Sequence, residues 1–124
     1  MLAYLRAEPG GDRVREIIRN PDVVCYAHSV NLCEVYYDMI RGADRPTAEA
    51  AIADLFAAGV IERSDMDRSF WLGAGSIKAG GRISLADCFC IALAQRVDAK
   101  VLTSDRREFE PVAARGLCDV QFIR

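Results

Sequence analysis

Four short apolar runs set the fold class. Residues 23–27, 60–63, 100–103 and 120–123 are rich in β-branched side chains, and each is separated from the next by segments of helical periodicity. Strands that alternate with helices pair through crossovers, which makes a parallel sheet with helices on both faces. The intervening segments carry matching start and stop signals. Residues 1–8 read as a short helix broken by Pro9, Gly10 and Gly11, and a second, from about Asp12 to Arg19, ends at Asn20-Pro21. Ser29 is predicted to cap a helix over 30–41 with a buried stripe of Leu32, Val35, Tyr36, Met39 and Ile40. Further helices are predicted over 46–58, with Pro46 in its first turn, over 66–79, stopped by Gly80-Gly81, over 84–97, and from Arg106 onward.

With 124 residues, the chain is the size of one domain spanning 1–124, large enough to bury a core without disulfides or a structural metal. Its composition, 52% hydrophobic and 27% charged, excludes a disordered tail or a polyelectrolyte arm. A net charge of −2 means that any contact with nucleic acid must come from a local basic patch. No apolar run approaches the roughly 20 residues of a membrane span, and residues 1–8 lack a signal-peptide pattern, so a cytoplasmic protein is expected. The five cysteines include no C-x-x-C pair and accompany a single histidine, which fits neither a disulfide framework nor a zinc site. They are expected to be reduced and mostly buried.

Three acids stand out. Asp87 is the only charge in the apolar run from Leu85 to Ala94, at the start of a helix that is apolar almost all round. Ser84-x-x-Asp87 has the spacing of a capping box, which gives Asp87 a structural reading beside a chemical one. Asp105 follows directly on the third apolar run, at the carboxyl end of a parallel strand, where ligands and metals collect in open α/β sheets. Asp105-x-x-Glu108 also fits a helix cap. Glu34 lies opposite the apolar stripe of its helix, one turn from Asp38, where periodicity alone places a solvated side chain. The lone histidine, His28, sits at a strand-to-helix junction with no serine or cysteine in a nucleophile setting, so hydrolase chemistry of that kind lacks support. Gly73-x-Gly75 lies within a helix rather than opening one after a strand, so it does not mark a nucleotide-binding loop.

The segments around Glu34 (Ser29-Val-Asn-Leu-Cys-Glu-Val), Asp87 (Gly81-Arg-Ile-Ser-Leu-Ala-Asp-Cys-Phe-Cys) and Asp105 (Val101-Leu-Thr-Ser-Asp-Arg-Arg-Glu-Phe) resemble, in order, the acidic motifs of PIN-domain proteins, specifically the VapC-type toxins. The resemblance implies a three-layer α/β/α sandwich with a short, mainly parallel sheet, in which Glu34, Asp87 and Asp105 meet at the strand ends and bind Mg²⁺ or Mn²⁺. It also implies metal-dependent endoribonuclease activity and a small antitoxin partner, with a homodimer as the expected assembly. Clustered carboxylates without histidine or cysteine suit hard, oxygen-preferring cations. A metal-activated water then attacks the phosphodiester. Lys78, Arg82, Arg106 and Arg107 flank Asp87 and Asp105 and are expected to hold the RNA backbone.

PIN domains normally open with a hydrophobic strand ending in Asp, in the middle of the sheet. Here the following helix is present and the strand is absent, so the first metal ligand has no counterpart. Three acids in place of four would bind metal more weakly and impair cleavage, and the strands beside the gap would lose a partner. The missing Asp also favours an alternative, a non-catalytic module that keeps the fold to pair with an antitoxin-like peptide or with itself.

Overall fold

The computed structural model describes residues 1–124, which divide into two compact units, Met1–Ser64 and Asp65–Arg124. In the first unit the elements are α1 (Leu2–Leu5), α2 (Gly11–Arg19), β1 (Cys25–His28), α3 (Ser29–Gly42), α4 (Arg45–Ala57) and β2 (Val60–Arg63). β1 and β2 pair in parallel, with Cys25 opposite Val60 and His28 opposite Arg63. One face of this ladder supplies Ala27 and Val60 to a core shared with Leu32 and Val35 of α3 and Leu55 of α4. The other face shows the paired Tyr26 and Ile61 to solvent.

Where the elements differ from expectation, local hydrogen bonding explains the difference. Asn20 Oδ1 accepts from the Asp22 amide at 2.9 Å and the Val23 amide donates to the Asn20 carbonyl, so a turn consumes the residues before the strand. β1 therefore starts at Cys25, and Val23 and Val24 are exposed. The cap of α3 is His28 rather than Ser29: His28 Nδ1 accepts from the Val30 amide at 3.1 Å. Ser29 instead donates its hydroxyl to Glu62 Oε1 at 2.7 Å, tying the start of α3 to β2. α1 is a single turn, because Ala7 adopts a left-handed φ of 51° ahead of Pro9. Gly11 is required where α2 crosses α1, since a Cβ there would lie 2.4 Å from the Ala3 carbonyl oxygen. α4 is capped by Asp44, which accepts from the Thr47 amide at 2.8 Å.

The second unit comprises α5 (Arg68–Ala79), α6 (Leu85–Val97), β3 (Val101–Thr103), α7 (Arg106–Ala114) and β4 (Val120–Phe122). β3 and β4 form a second parallel ladder of two strands, with Val101 opposite Val120. As its all-round apolarity predicts, α6 is buried at four successive positions, 91–94. It packs with Phe70 and Ile77 of α5 and with Phe109 and Val112 of α7. Asp67 caps α5 in place of the predicted start at residue 66. Arg96, at the other end of α6, reaches both Asp67 oxygens, Asp65 Oδ2 at 2.9 Å and Ser69 Oγ at 3.0 Å, with its guanidinium over the Phe70 ring. The fold is thus α/β, with seven helices and short parallel strands.

Candidate active site

In the second unit, two of the predicted acids hang from one hydrogen-bonded junction. Ser84 is the N-cap of α6: its Oγ accepts from the Asp87 amide at 3.0 Å and donates to Asp87 Oδ2 at 2.7 Å. The Ser84 amide donates to Glu108 Oε2 at 2.8 Å. This completes a capping box whose second member comes from α7 instead of α6 itself. Asp105 caps α7, with Oδ1 accepting from the Glu108 amide at 3.0 Å, and its own amide donates to Thr103 Oγ1. Asp87 and Asp105 are therefore joined through Ser84 and Glu108, each at the positive end of a helix dipole. Asp87 is half-buried and Asp105 is exposed. Of the two structural readings of the sequence, the cap at Asp105 holds; the capping box at Ser84 holds only in part, because Ser84 caps the Asp87 amide while Glu108, and not Asp87, accepts from the Ser84 amide.

The thiols of α6, Cys88 buried and Cys90 half-buried, register the charge at this junction. Burial pushes Cys90 up to about 12, and the Asp87 charge adds to the shift. Cys88 is raised chiefly by burial, opposed by Lys78 and reinforced by Asp87 and Glu108.

The third acid, Glu34, belongs to the first unit. It is half-buried on α3, and Tyr37 donates its hydroxyl to Glu34 Oε1 at 3.4 Å. The Glu34 charge raises the Tyr37 phenol above its ordinary value. One turn on, Asp38 pairs with Arg6 at 2.7 Å. Within neither unit are three His, Cys, Asp or Glu side chains grouped closely enough to hold a metal ion.

Three of the four predicted backbone-binding residues, Lys78, Arg82 and Arg107, line one groove of about 890 Å³. Its wall includes Ser84 and Glu108, the two residues that hold Asp87 and Asp105. Arg82 and Arg107 have no carboxylate partner, and Lys78 Nζ donates only to the Ile83 carbonyl, at 2.6 Å. Arg106 lies outside this groove. It pairs with Glu110 at 3.3 Å, donates to the Arg124 carbonyl at 3.1 Å and covers the Phe122 ring. Two groove residues escaped the sequence reading. Glu108 was visible only as a local cap partner of Asp105, and Arg115, at the end of α7, carried no signal beyond its charge.

His28 is 1% exposed and spends Nδ1 on capping α3, so its role here is structural. No helix is long and apolar enough to cross a membrane.

Among curated proteins, none matches this chain. Among solved structures it is similar to the crystal structure of VapBC2 from Rickettsia felis bound to a DNA fragment from their promoter, with a TM-score of 0.70 at 14% identity, covering 98% of this chain and 90% of that one. It is also similar to VapBC-1 from nontypeable Haemophilus influenzae, with a TM-score of 0.66 at 17% identity and the same coverage. At these identities the likeness is one of fold. In sequence, residues 1–114 match the model of the PIN domain, and the chain accordingly belongs to the PIN-domain family.

Proposed function

We propose that this chain is a VapC-type, Mg²⁺- or Mn²⁺-dependent endoribonuclease, formed as one domain over residues 1–124 and acting as the toxin of a type II toxin–antitoxin pair. The observation that carries this reading is the junction at Ser84 and Glu108, where two acids hang beside a groove with cations that no carboxylate neutralises. Glu34, Asp87 and Asp105 are the residues that would hold the cation. Their donor set is all oxygen, which fits a hard divalent ion. Asp105 engages only Oδ1 in its cap and Glu34 only Oε1, so each keeps an oxygen for a ligand. A cation bound there supplies Lewis acidity for water attack on the phosphodiester.

Ser84 and Glu108 fix the orientation of Asp87 and Asp105, so these carboxylates need little reorganisation when a ligand arrives. Arg82 and Arg107, with Lys78, offset the charge of the RNA backbone in the groove. Arg106, braced by Glu110 and Phe122, steadies β4 against α7. The fold likeness to VapBC structures supports a small antitoxin as the protein partner. A homodimer belongs to the same reading. Calorimetric titration with Mn²⁺ tests the metal site: binding heat should appear with the unaltered chain and vanish in Asp87→Asn and Asp105→Asn. Heat unchanged in both variants would contradict the assignment. RNA binding without metal uptake would favour a non-catalytic module.

A further inference from the structure

The turn between α5 and α6, residues 80–83, is strapped by two cations that neutralise no acid. Arg115 donates to the Gly80 carbonyl at 2.9 Å, and Lys78 donates to the Ile83 carbonyl at 2.6 Å. The Arg115 guanidinium lies close to two glycines. A Cβ on Gly80 would come within 3.0 Å of one terminal nitrogen, and a Cβ on Gly81 within 3.3 Å of the other. Between the two strapped carbonyls sits Arg82, exposed and without a hydrogen-bond or ion-pair partner. Arg107 and Arg115 line the same groove. A guanidinium carries five donors, and Arg115 spends one on the turn.

We infer that Arg115 is both a phosphate-binding residue and the positioning residue for Arg82, so that the two arginines with Arg107 form one site for consecutive phosphates of single-stranded RNA. This rests on the reading that the groove faces RNA, and it assigns a specific division of labour within it. The Arg115 bond to the Gly80 carbonyl holds the backbone of the turn at one end and Lys78 holds it at the other. The backbone that carries Arg82 is thereby held, so the turn has little of its own freedom to lose on binding and only the Arg82 side chain must be ordered. Without Arg115 the turn is tethered at one end only, and the backbone that carries Arg82 loses its fixed position.

The test is fluorescence anisotropy with a labelled single-stranded RNA 12-mer in EDTA, over a series of KCl concentrations. Each phosphate contact on a single strand contributes about 0.7 to the slope of log affinity against log salt. Arg82→Ala should reduce the slope by about one contact, and Arg115→Ala by about two. The double variant should then behave as Arg115→Ala alone. Arg115→Lys keeps the charge but not the fork, so its slope should fall by about one contact and become insensitive to Arg82→Ala. Circular dichroism on each variant establishes that it is folded, and Arg115→Lys carries the test if Arg115→Ala is not. Additive losses in the double variant, an Arg115→Ala slope equal to that of the unaltered chain, or no binding of RNA in EDTA would each overturn the inference. Cleavage assayed separately in Mn²⁺ keeps the two readings apart: a chain that cleaves RNA while Arg115→Ala binds normally loses only this inference. One that shows the predicted slopes without cleaving loses only the nuclease.

Discussion

Replacing Ser84 with alanine removes a single oxygen that two bonds share. The first is the cap to the Asp87 amide, and loss of a serine cap costs about 1 kcal/mol, within a range of about 0.5–2. The second is the hydroxyl bond to the Asp87 carboxylate, 2.7 Å long and half-buried, and charge-assisted bonds contribute about 1.5 kcal/mol or more when formed in such surroundings. Because one oxygen serves both, the two losses do not add in full, and water reaches a half-buried carboxylate. We expect a net destabilisation of about 2 kcal/mol. For a domain of this length, that lowers Tm by about 6–10 °C. Urea and thermal unfolding followed by circular dichroism measure it. Ser84→Thr, which keeps the oxygen, should stay within about 0.5 kcal/mol of the unaltered chain, and Ser84→Gly, tolerated at a cap, should fall between the two. If Ser84→Ala matched Ser84→Thr, the junction would not be holding α6, and the claim that Asp87 is oriented through it would fail.

Other consequences concern groups elsewhere in the fold. The thiol of Cys33 is exposed, whereas Cys90 is pushed up to about 12 by burial, so at pH 8 a maleimide should label Cys33 first and leave Cys90 unmodified in the folded chain; equal labelling rates by mass spectrometry would contradict this. The Arg96 guanidinium, then Ser69, holds the Asp67 carboxyl well below the usual carboxylate range. A depressed folded-state value means that this contribution to stability is fully present above about pH 4 and is lost as pH falls further. Arg96→Leu should therefore narrow the stability difference between pH 6 and pH 3, measured by urea unfolding, and an unchanged difference would show that the Arg96 contacts do not perturb Asp67.

Much of the architecture was legible because the apolar runs and their helical spacers are strongly periodic. The runs at 60–63 and 100–103, and the all-round apolarity of 84–97, specify β2, β3 and α6 almost to the residue. Boundaries moved where a polar side chain competes for backbone groups. Asn20 closes a turn ahead of β1, and His28, a residue type seldom used as a cap, takes the position predicted for Ser29. The site divides similarly. Asp87 and Asp105 drew attention through isolated charge and position, and their cap spacings were visible in the sequence. The bond from the Ser84 amide to Glu108 was not, because it joins residues 24 positions apart and depends on how α7 packs beside α6. Arg115 was hidden for a related reason: its contact with the glycine turn spans 35 positions and leaves no periodic trace.

Cleavage of a quenched fluorescent RNA by the purified chain, with and without Mn²⁺, tests the nuclease assignment most directly. Hydrolysis that requires the metal, is abolished by EDTA, and falls by two orders of magnitude or more (roughly 10²-fold) in Asp87→Asn is the result we expect. Cleavage that persists undiminished in Asp87→Asn, or none from the unaltered chain at any Mn²⁺ concentration, would contradict it.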